Sequence, residues 1–273
     1  MIHRTFAKWT HGPTGDRAPL PIKVWKLLDR ADVPDNGGEL RLYQEGGHYA
    51  IRADGTELMA SHMYESEEAL ATLACQRVGV RKKARVLVGG LGMGYTLAAA
   101  LHRLRGDAEV VVAELVPAVV AWNRKHVGHL AGFPLDDPRT VVHEGDVADQ
   151  LRRVDAFDAI LLDVDNGPEG LTRVENDWLY GAGGLHSARK ALRPEGVLAV
   201  WSASPDRSFA ARVRAVGFEV EEFGARTWST ERGSRHTIWL ATPSDPDAPE
   251  ADPPARRRAR EHATQPRLGR RAP

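Results

Sequence analysis

The 273-residue chain predicts an α/β fold: a seven-stranded, mostly parallel sheet with helices on both faces, preceded by a small N-terminal antiparallel β unit. Three observations carry this. From Arg85 onward, short apolar runs such as RVLVGG, EVVVAEL and DAILLDVD alternate with segments whose apolar residues recur at helical spacing. Near-continuous apolar strands separated by helices indicate a parallel sheet covered on both faces. The last two apolar runs, FEVEEF and RHTIWLAT, stand too close for a helical crossover and read as an antiparallel pair at the sheet edge. Ahead of all this, ELRLYQEGGHYAIRADGTELMAS places the turn signals EGGH and RADGT between short alternating segments, the pattern of an antiparallel meander.

Taken in order, residues 1–38 mix Pro, Gly and charge around one predicted short helix, PIKVWKLLDR, whose Val24, Leu27 and Leu28 share a face. Residues 39–80 hold the meander and then SHMYESEEALATLACQRVGV. This segment starts with Ser and acids and continues with Leu70, Leu73, Ala74 and Val78, so it reads as a capped amphipathic helix. Residues 81–242 carry the strand-helix alternation, with helices over TLAAALHRL, AVVAWNRKHVGHL, Gly184 to Leu192 and the stretch after Ser204. Residues 243–273 lose periodicity and turn rich in Pro, Ala and charge, first acidic and then arginine-rich, a composition that predicts a disordered tail.

Composition narrows the function classes. Lys plus Arg and Asp plus Glu both total 37, so no global field favours nucleic acid or an anionic membrane surface, and neither partner is expected. The single cysteine, Cys75, excludes an intramolecular disulfide and a CxxC metal site, and packing is its expected role. No apolar run reaches the about 18 residues of a membrane span, and Met1 to Asp16 lacks the apolar centre of a signal peptide. The expected location is cytoplasmic.

The chemistry concentrates where strands end. After RVLVGG the chain runs Gly90-Leu91-Gly92-Met93-Gly94 and turns at once into a helix, as backbone that approaches a ligand closely must. Tyr95 stands where the dinucleotide-binding pattern needs a small residue, so the tighter glycine spacing fits a nucleoside better than a pyrophosphate. The second strand ends at Glu114, twenty-four residues beyond Gly90, where a carboxylate can accept both hydroxyls of a ribose. The third leads into HEGDV, placing Asp146 to accept from an adenine amino group with Val147 beside the ring. Taken alone, Asp146 reads more simply as the N-cap of VADQLRR. The fourth strand delivers Asp163 and Asp165 in DAILLDVDNGPEG. Desolvated acids there need a cation, a hydroxyl-rich ligand or a helix N-terminus to offset their cost. His126 and His129 sit three apart on one helix with no third ligand in view, and read as surface residues.

Four such signals in this order resemble the class I S-adenosylmethionine-dependent transferases, a Rossmann-like methyltransferase fold, over residues 81–242. The β unit and helix in front, the double glycine in VGG and the segment DAILLDVDNGP resemble more narrowly the spermidine synthase family of aminopropyltransferases. That resemblance implies a donor, decarboxylated S-adenosylmethionine, and a small-molecule amine acceptor such as putrescine, with no metal. It also implies a homodimer paired through the N-terminal region. On it, Gly90, Gly92, Gly94 and Glu114 cradle the nucleoside with Asp146 and Val147 at the adenine. Asp163 engages the amine nucleophile and Asp165 a distal ammonium, while Gln44 and Tyr64 match substrate-facing positions of the front unit. Trp178 and Tyr180, in NDWLYGAGG, follow the acidic turn and are candidates for the wall of the acceptor pocket.

The departures from the family pattern keep rivals open. Met93 occupies the loop position where the family carries an acid, Asn166 takes the place of the second acid of its D-[ST]-[ST]-D segment, and MYESEE offers Tyr64, Glu65 and Glu67 but not the histidine of its Tyr-His-Glu pattern. A methyltransferase using intact S-adenosylmethionine is one rival. A noncatalytic nucleoside-binding protein, in which the acidic turn merely caps its own loop, is another.

Overall fold

The computed structural model describes residues 24–34, 37–164, 167–168, 176–226 and 235–244. The expectations for Asp165, Asn166 and the tail beyond Ser244 lie outside the described residues. A front sheet comes first: β1 (Lys26–Asp32), β2 (Glu39–Glu45), β3 (His48–Ala53) and β4 (Thr56–Ala60) pair as an antiparallel meander in chain order. Asp54 and Gly55, both at positive φ (46° and 84°), form the two-residue turn between β3 and β4.

Where a helix is predicted over PIKVWKLLDR, the structure has strand β1 from Lys26 onward. Residues of β1 pair in register with β2, Arg30 opposite Arg41 and Ala31 opposite Leu40. Cross-strand hydrogen bonds outweigh the three-residue apolar face, since Val24 and Leu27 stay exposed and only Leu28 and Ala31 pack inward. The Trp122 indole donates to Asp29 Oδ2 at 2.9 Å and ties β1 to the rest of the molecule.

Helix α1 (Glu65–Val78) buries Leu70, Ala71, Ala74, Cys75 and Val78 on one face. Its N-cap is Tyr64, with no side-chain cap. Ser61, expected at the start of the helix, instead accepts a hydrogen bond from the Tyr49 amide at 2.9 Å. Cys75 packs in the core, and burial pushes its thiol up to about 12.

The second sheet contains β5 (Arg85–Gly89), β6 (Glu109–Glu114), β7 (Thr140–Glu144), β8 (Phe157–Leu162), β9 (Leu192–Ser202), β10 (Phe218–Arg226) and β11 (Arg235–Pro243). Its order is β10-β11-β9-β8-β5-β6-β7, with β11 antiparallel to both neighbours and the other pairs parallel. Between the strands run α2 (Tyr95–Arg103), α3 (Pro117–Trp122), α4 (Val147–Leu151), α5 (Asn176–Tyr180), α6 (Ala182–Ala191) and α7 (Arg207–Ala215).

Alternation along each strand divides the core into two layers. Val86 and Val88 of β5 face the layer built with α1, α2 and the front sheet, whereas Leu87 faces that of α4, α6 and α7. Strand order reverses about β5, which neighbours β6 on one side and β8 on the other. In open α/β sheets, that reversal opens a crevice beyond the strands' C-terminal ends.

The single helix expected over AVVAWNRKHVGHL breaks into α3, a π turn at Asn123–Val127 and a 3-10 turn at Gly128–Ala131. Asn123 accounts for the widening, because its Nδ2 donates to the Val119 carbonyl at 3.0 Å and to the Gly92 carbonyl at 2.7 Å. A side chain drawn into the ladder and bound to the glycine loop disturbs the regular helical spacing.

Candidate functional site

A cavity of about 200 Å³ occupies that crevice. Its roof comes from the front sheet through Leu40, Ile51, Leu58 and Met59. Its floor and walls come from the strand ends: Gly90 and Gly92 after β5, Glu114 closing β6, Asp146 and Val147 after β7, Asp163 after β8, and Trp201 of β9. Glu67 of α1 completes it.

The glycine loop is shaped by close approach. Gly90 lies at φ +89°, and a Cβ there would fall 2.3 Å from the Asp163 carbonyl oxygen, so the loop can rest against the chain leaving β8 only as glycine. Gly94 serves differently: it is the N-cap of α2 and faces Pro134 and Asn123 rather than lining the cavity. Glu114 is buried and holds the loop from below, accepting from the Leu91 amide at 2.9 Å through Oε2 and from the Val116 amide at 2.8 Å through Oε1. Asp146 Oδ1 caps α4 by accepting from the Ala148 amide at 2.8 Å, the simpler of its sequence readings, and the residue also lines the cavity.

Two further acids pair with no cation among the described residues. Asp163 Oδ2 accepts from the Thr96 hydroxyl at 2.6 Å, and desolvation, opposed by that bond, pushes its carboxyl up to about 6. Glu67 is 7 % exposed, and burial, then the nearby Asp163, Glu65 and Glu68 carboxylates, push it well above the ordinary range. Its Oε2 is buried without a hydrogen-bond partner, and so is the Trp201 indole nitrogen. Four acids line the cavity, Glu67, Glu114, Asp146 and Asp163, and no Lys, Arg or His among the described residues does. Among the described residues no group of three or more His, Cys, Asp or Glu is arranged to hold a metal ion.

Other predicted positions lie outside the lining. Gln44 donates to the Gly46 carbonyl and the Tyr49 hydroxyl, each at 3.0 Å, within the front sheet. Tyr64 stacks on Tyr95 with ring centroids 4.9 Å apart. Trp178 is 44 % exposed and covers Gly183, where an added Cβ would lie 2.8 Å from its indole nitrogen. Tyr180 is buried, packs edge-on against Phe209 and donates its hydroxyl to the Val164 carbonyl at 3.0 Å, bracing the chain just after Asp163.

Sequence reasoning passed over Thr96 as a member of the site and offered Glu67 only within the incomplete Tyr-His-Glu match in MYESEE. A signal for Glu67 was present. It stands three and four residues before Leu70 and Ala71, on the buried stripe of an amphipathic helix where an acid is out of place. Thr96 has no such mark, because its contact with Asp163 spans 67 residues of sequence.

The strand order, with β11 inserted antiparallel between β9 and β10, defines the methyltransferase-like class of α/β folds. Within that class the chain has a spermidine synthase-like fold, front sheet included. It is similar to the crystal structure of spermidine synthase from Thermotoga maritima, with TM-score 0.64 and 17% identity over 79% of this chain and 72% of that one. A spermidine synthase in complex with the transition-state analogue AdoDATO gives TM-score 0.63, with the same identity and coverage. A probable spermidine synthase from Corynebacterium glutamicum gives TM-score 0.57 and 14% identity over 81% and 80% of the two chains. No family model and no curated protein matches the sequence. Among the described residues no helix is long and apolar enough to cross a membrane.

Proposed function

We propose that this protein is a transferase using an S-adenosyl-sulfonium donor, most simply moving an aminopropyl group from decarboxylated S-adenosylmethionine to a diamine such as putrescine. The observation that carries the reading is the cavity at the sheet's reversal point, where Glu114, Asp146 and Asp163 close successive strands around one space lined by acids and by no described cation. Glu114 suits the ribose hydroxyls, while Asp146 and Val147 suit the adenine edge and face. The apolar roof of Ile51, Leu58 and Met59 suits the remainder of a nucleoside thioether. A structural neighbour holding a transition-state analogue on the same fold supports this direction.

The chemistry asks little beyond position and a proton acceptor. A displacement at carbon beside a sulfonium expels a neutral thioether, and the amine attacks only as its free base. Asp163, with its carboxyl near 6, is mostly ionised at neutral pH yet basic enough to take a proton from an alkylammonium drawn against it. The Thr96 hydroxyl orients it.

One observation favours a second reading, methyl transfer from intact S-adenosylmethionine: Met93 in the glycine loop is fully buried and brings no acid to the donor. Mass spectrometry of products separates the two readings. Incubation with putrescine and the decarboxylated donor should yield methylthioadenosine and an aminopropylated diamine. Formation of S-adenosylhomocysteine from intact donor, with no methylthioadenosine from the decarboxylated one, would make the protein a methyltransferase.

A further inference from the structure

We infer that Asn123, which stands outside the cavity lining, is a positioning residue for the bound nucleoside: by holding the Gly92 carbonyl it fixes the glycine loop in the shape that the ligand meets. This rests on the reading of the cavity as a nucleoside site. Gly90, Gly92 and Gly94 all lie at positive φ (89°, 51° and 89°), and backbone with this much freedom keeps one shape only where other groups hold it. The Gly90 amide donates to the Ala113 carbonyl at 2.9 Å, the Gly94 amide donates to the Leu91 carbonyl at 2.8 Å, and Glu114 accepts from the Leu91 amide. At Gly92, in the middle of the loop and in the lining, the restraint is Asn123 Nδ2, 2.7 Å from the carbonyl oxygen.

Packing alone does not account for this residue. Asn123 is 2 % exposed, in a run whose other large buried side chains, Val119, Val120, Trp122 and Val127, are apolar. Both contacts of its Nδ2 are to carbonyl oxygens, which fixes the way the amide faces and leaves Oδ1 buried without a hydrogen-bond partner. The Val119 carbonyl already accepts from the Asn123 backbone amide, so the side chain supplies nothing that the helix lacks there. An unpaired buried acceptor destabilises the fold, and an apolar side chain would avoid it. What the amide adds is the bond to Gly92. The π turn that begins at Asn123 marks the same point, since single π turns inside helices recur at functional sites.

The loop is tightest where Asn123 holds it. A Cβ on Gly92 would fall 2.6 Å from Met59 Cε, so the roof rests on the loop at this residue, and a Cβ on Gly94 would fall 3.2 Å from Asn123 Oδ1. Gly92 is therefore caught between β4 and the π turn, while Leu91 is caught by Glu114 at the end of β6. Held from separate elements, the loop keeps its ligand-facing backbone in place before anything binds. Released at Gly92, it has to be ordered by the ligand, and that ordering weakens binding although Asn123 stands outside the lining.

Calorimetry with 5′-propylthioadenosine, together with thermal melting and hydrogen exchange of the ligand-free full chain, tests this. Asn123→Leu removes the donor and keeps the bulk. It should weaken propylthioadenosine affinity about tenfold, the scale of one lost bond to a buried carbonyl, while its melting temperature stays within a few degrees of wild type. Asn123→Ala should weaken affinity alike. In a double-mutant cycle with Glu114→Ala, the combined loss should fall short of the product of the single losses by about threefold or more, because both side chains hold one loop. Exchange of the Leu91 and Gly94 amides should speed up about tenfold in both variants, which a residue that merely fills the core would not cause without a matching drop in melting temperature. Affinity within about twofold of wild type in either folded variant overturns the inference, as do fully multiplicative losses in the cycle. Failure of both variants to fold makes Asn123 a structural residue and overturns it as well. If propylthioadenosine does not bind the wild type, the nucleoside reading fails instead, and loop exchange still decides whether Asn123 holds the loop, unchanged exchange overturning that role.

Discussion

Strand β8 carries an aspartate near each end, and the two are treated in opposite ways. Asp158, 4 % exposed near the start of the strand, accepts from Arg81 at 3.0 Å, from Arg193 at 2.8 Å and from the Arg85 amide at 2.8 Å. Asp163, just past the strand's other end, has one hydroxyl at 2.6 Å and no described cation against it. A buried acid surrounded by arginines and an amide is architecture: it clamps β8 to β5, to the segment before β5 and to the start of β9. A buried acid left short of positive charge is a place where a ligand has something to add.

Removing the clamp should have the largest effect. Asp158→Ala strands two guanidinium groups and an amide, and the free energy of unfolding should fall by about 3 kcal/mol. Urea denaturation measures it, and a loss under about 0.5 kcal/mol would mean that the arginines simply turn to solvent. At the other end, Asp163→Asn should cost turnover on the order of 10², the scale for a positioned acid-base group, while propylthioadenosine affinity stays within about threefold. Full activity in that variant would reduce Asp163 to a structural acid.

Glu114→Ala sits between the two cases, since Glu114 both holds the loop and faces the cavity. Its nucleoside affinity should weaken by about 1 to 3 kcal/mol. Unchanged affinity in calorimetry with the fold intact removes it from the site.

The smallest effect sharpens the contrast through its sign. With the folded carboxyl of Asp163 near 6 and its ordinary value 3.8, the folded chain retains between those pH values a proton that the unfolded chain has released. Stability should therefore decline as pH rises from about 4 through 6 and level off above, with Glu67 acting in the same direction. Asp163→Asn removes this part of the slope, so the variant should melt a few degrees higher than wild type at pH 7 to 8, roughly what a gain of 1 kcal/mol gives. Melting curves that shift in parallel with pH in the two proteins would refute the assignment. One aspartate of β8 thus stabilises the fold through its charge, and the other destabilises it.

The order of strands and helices was legible in the sequence because it rests on local periodicity. Apolar runs of strand length and helical stripes survive whatever packs around them, and the glycine loop, Glu114, Asp146 and Asp163 all fall at predictable strand ends. Segments decided by distant partners were not legible. Lys26 to Asp32 is a strand because β2 offers it a ladder, and the helix after Pro117 widens because the Asn123 side chain binds the Gly92 carbonyl. The site divides in the same way. Its strand-end acids follow from chain order alone. That Glu67 and Thr96 join Asp163, that the front sheet roofs the cavity, and that Gln44, Tyr64, Trp178 and Tyr180 stay out of its lining follow from contacts between elements far apart in sequence. A carboxylate's partners, and hence whether it is a clamp or an unfilled charge, exist only once the chain has folded.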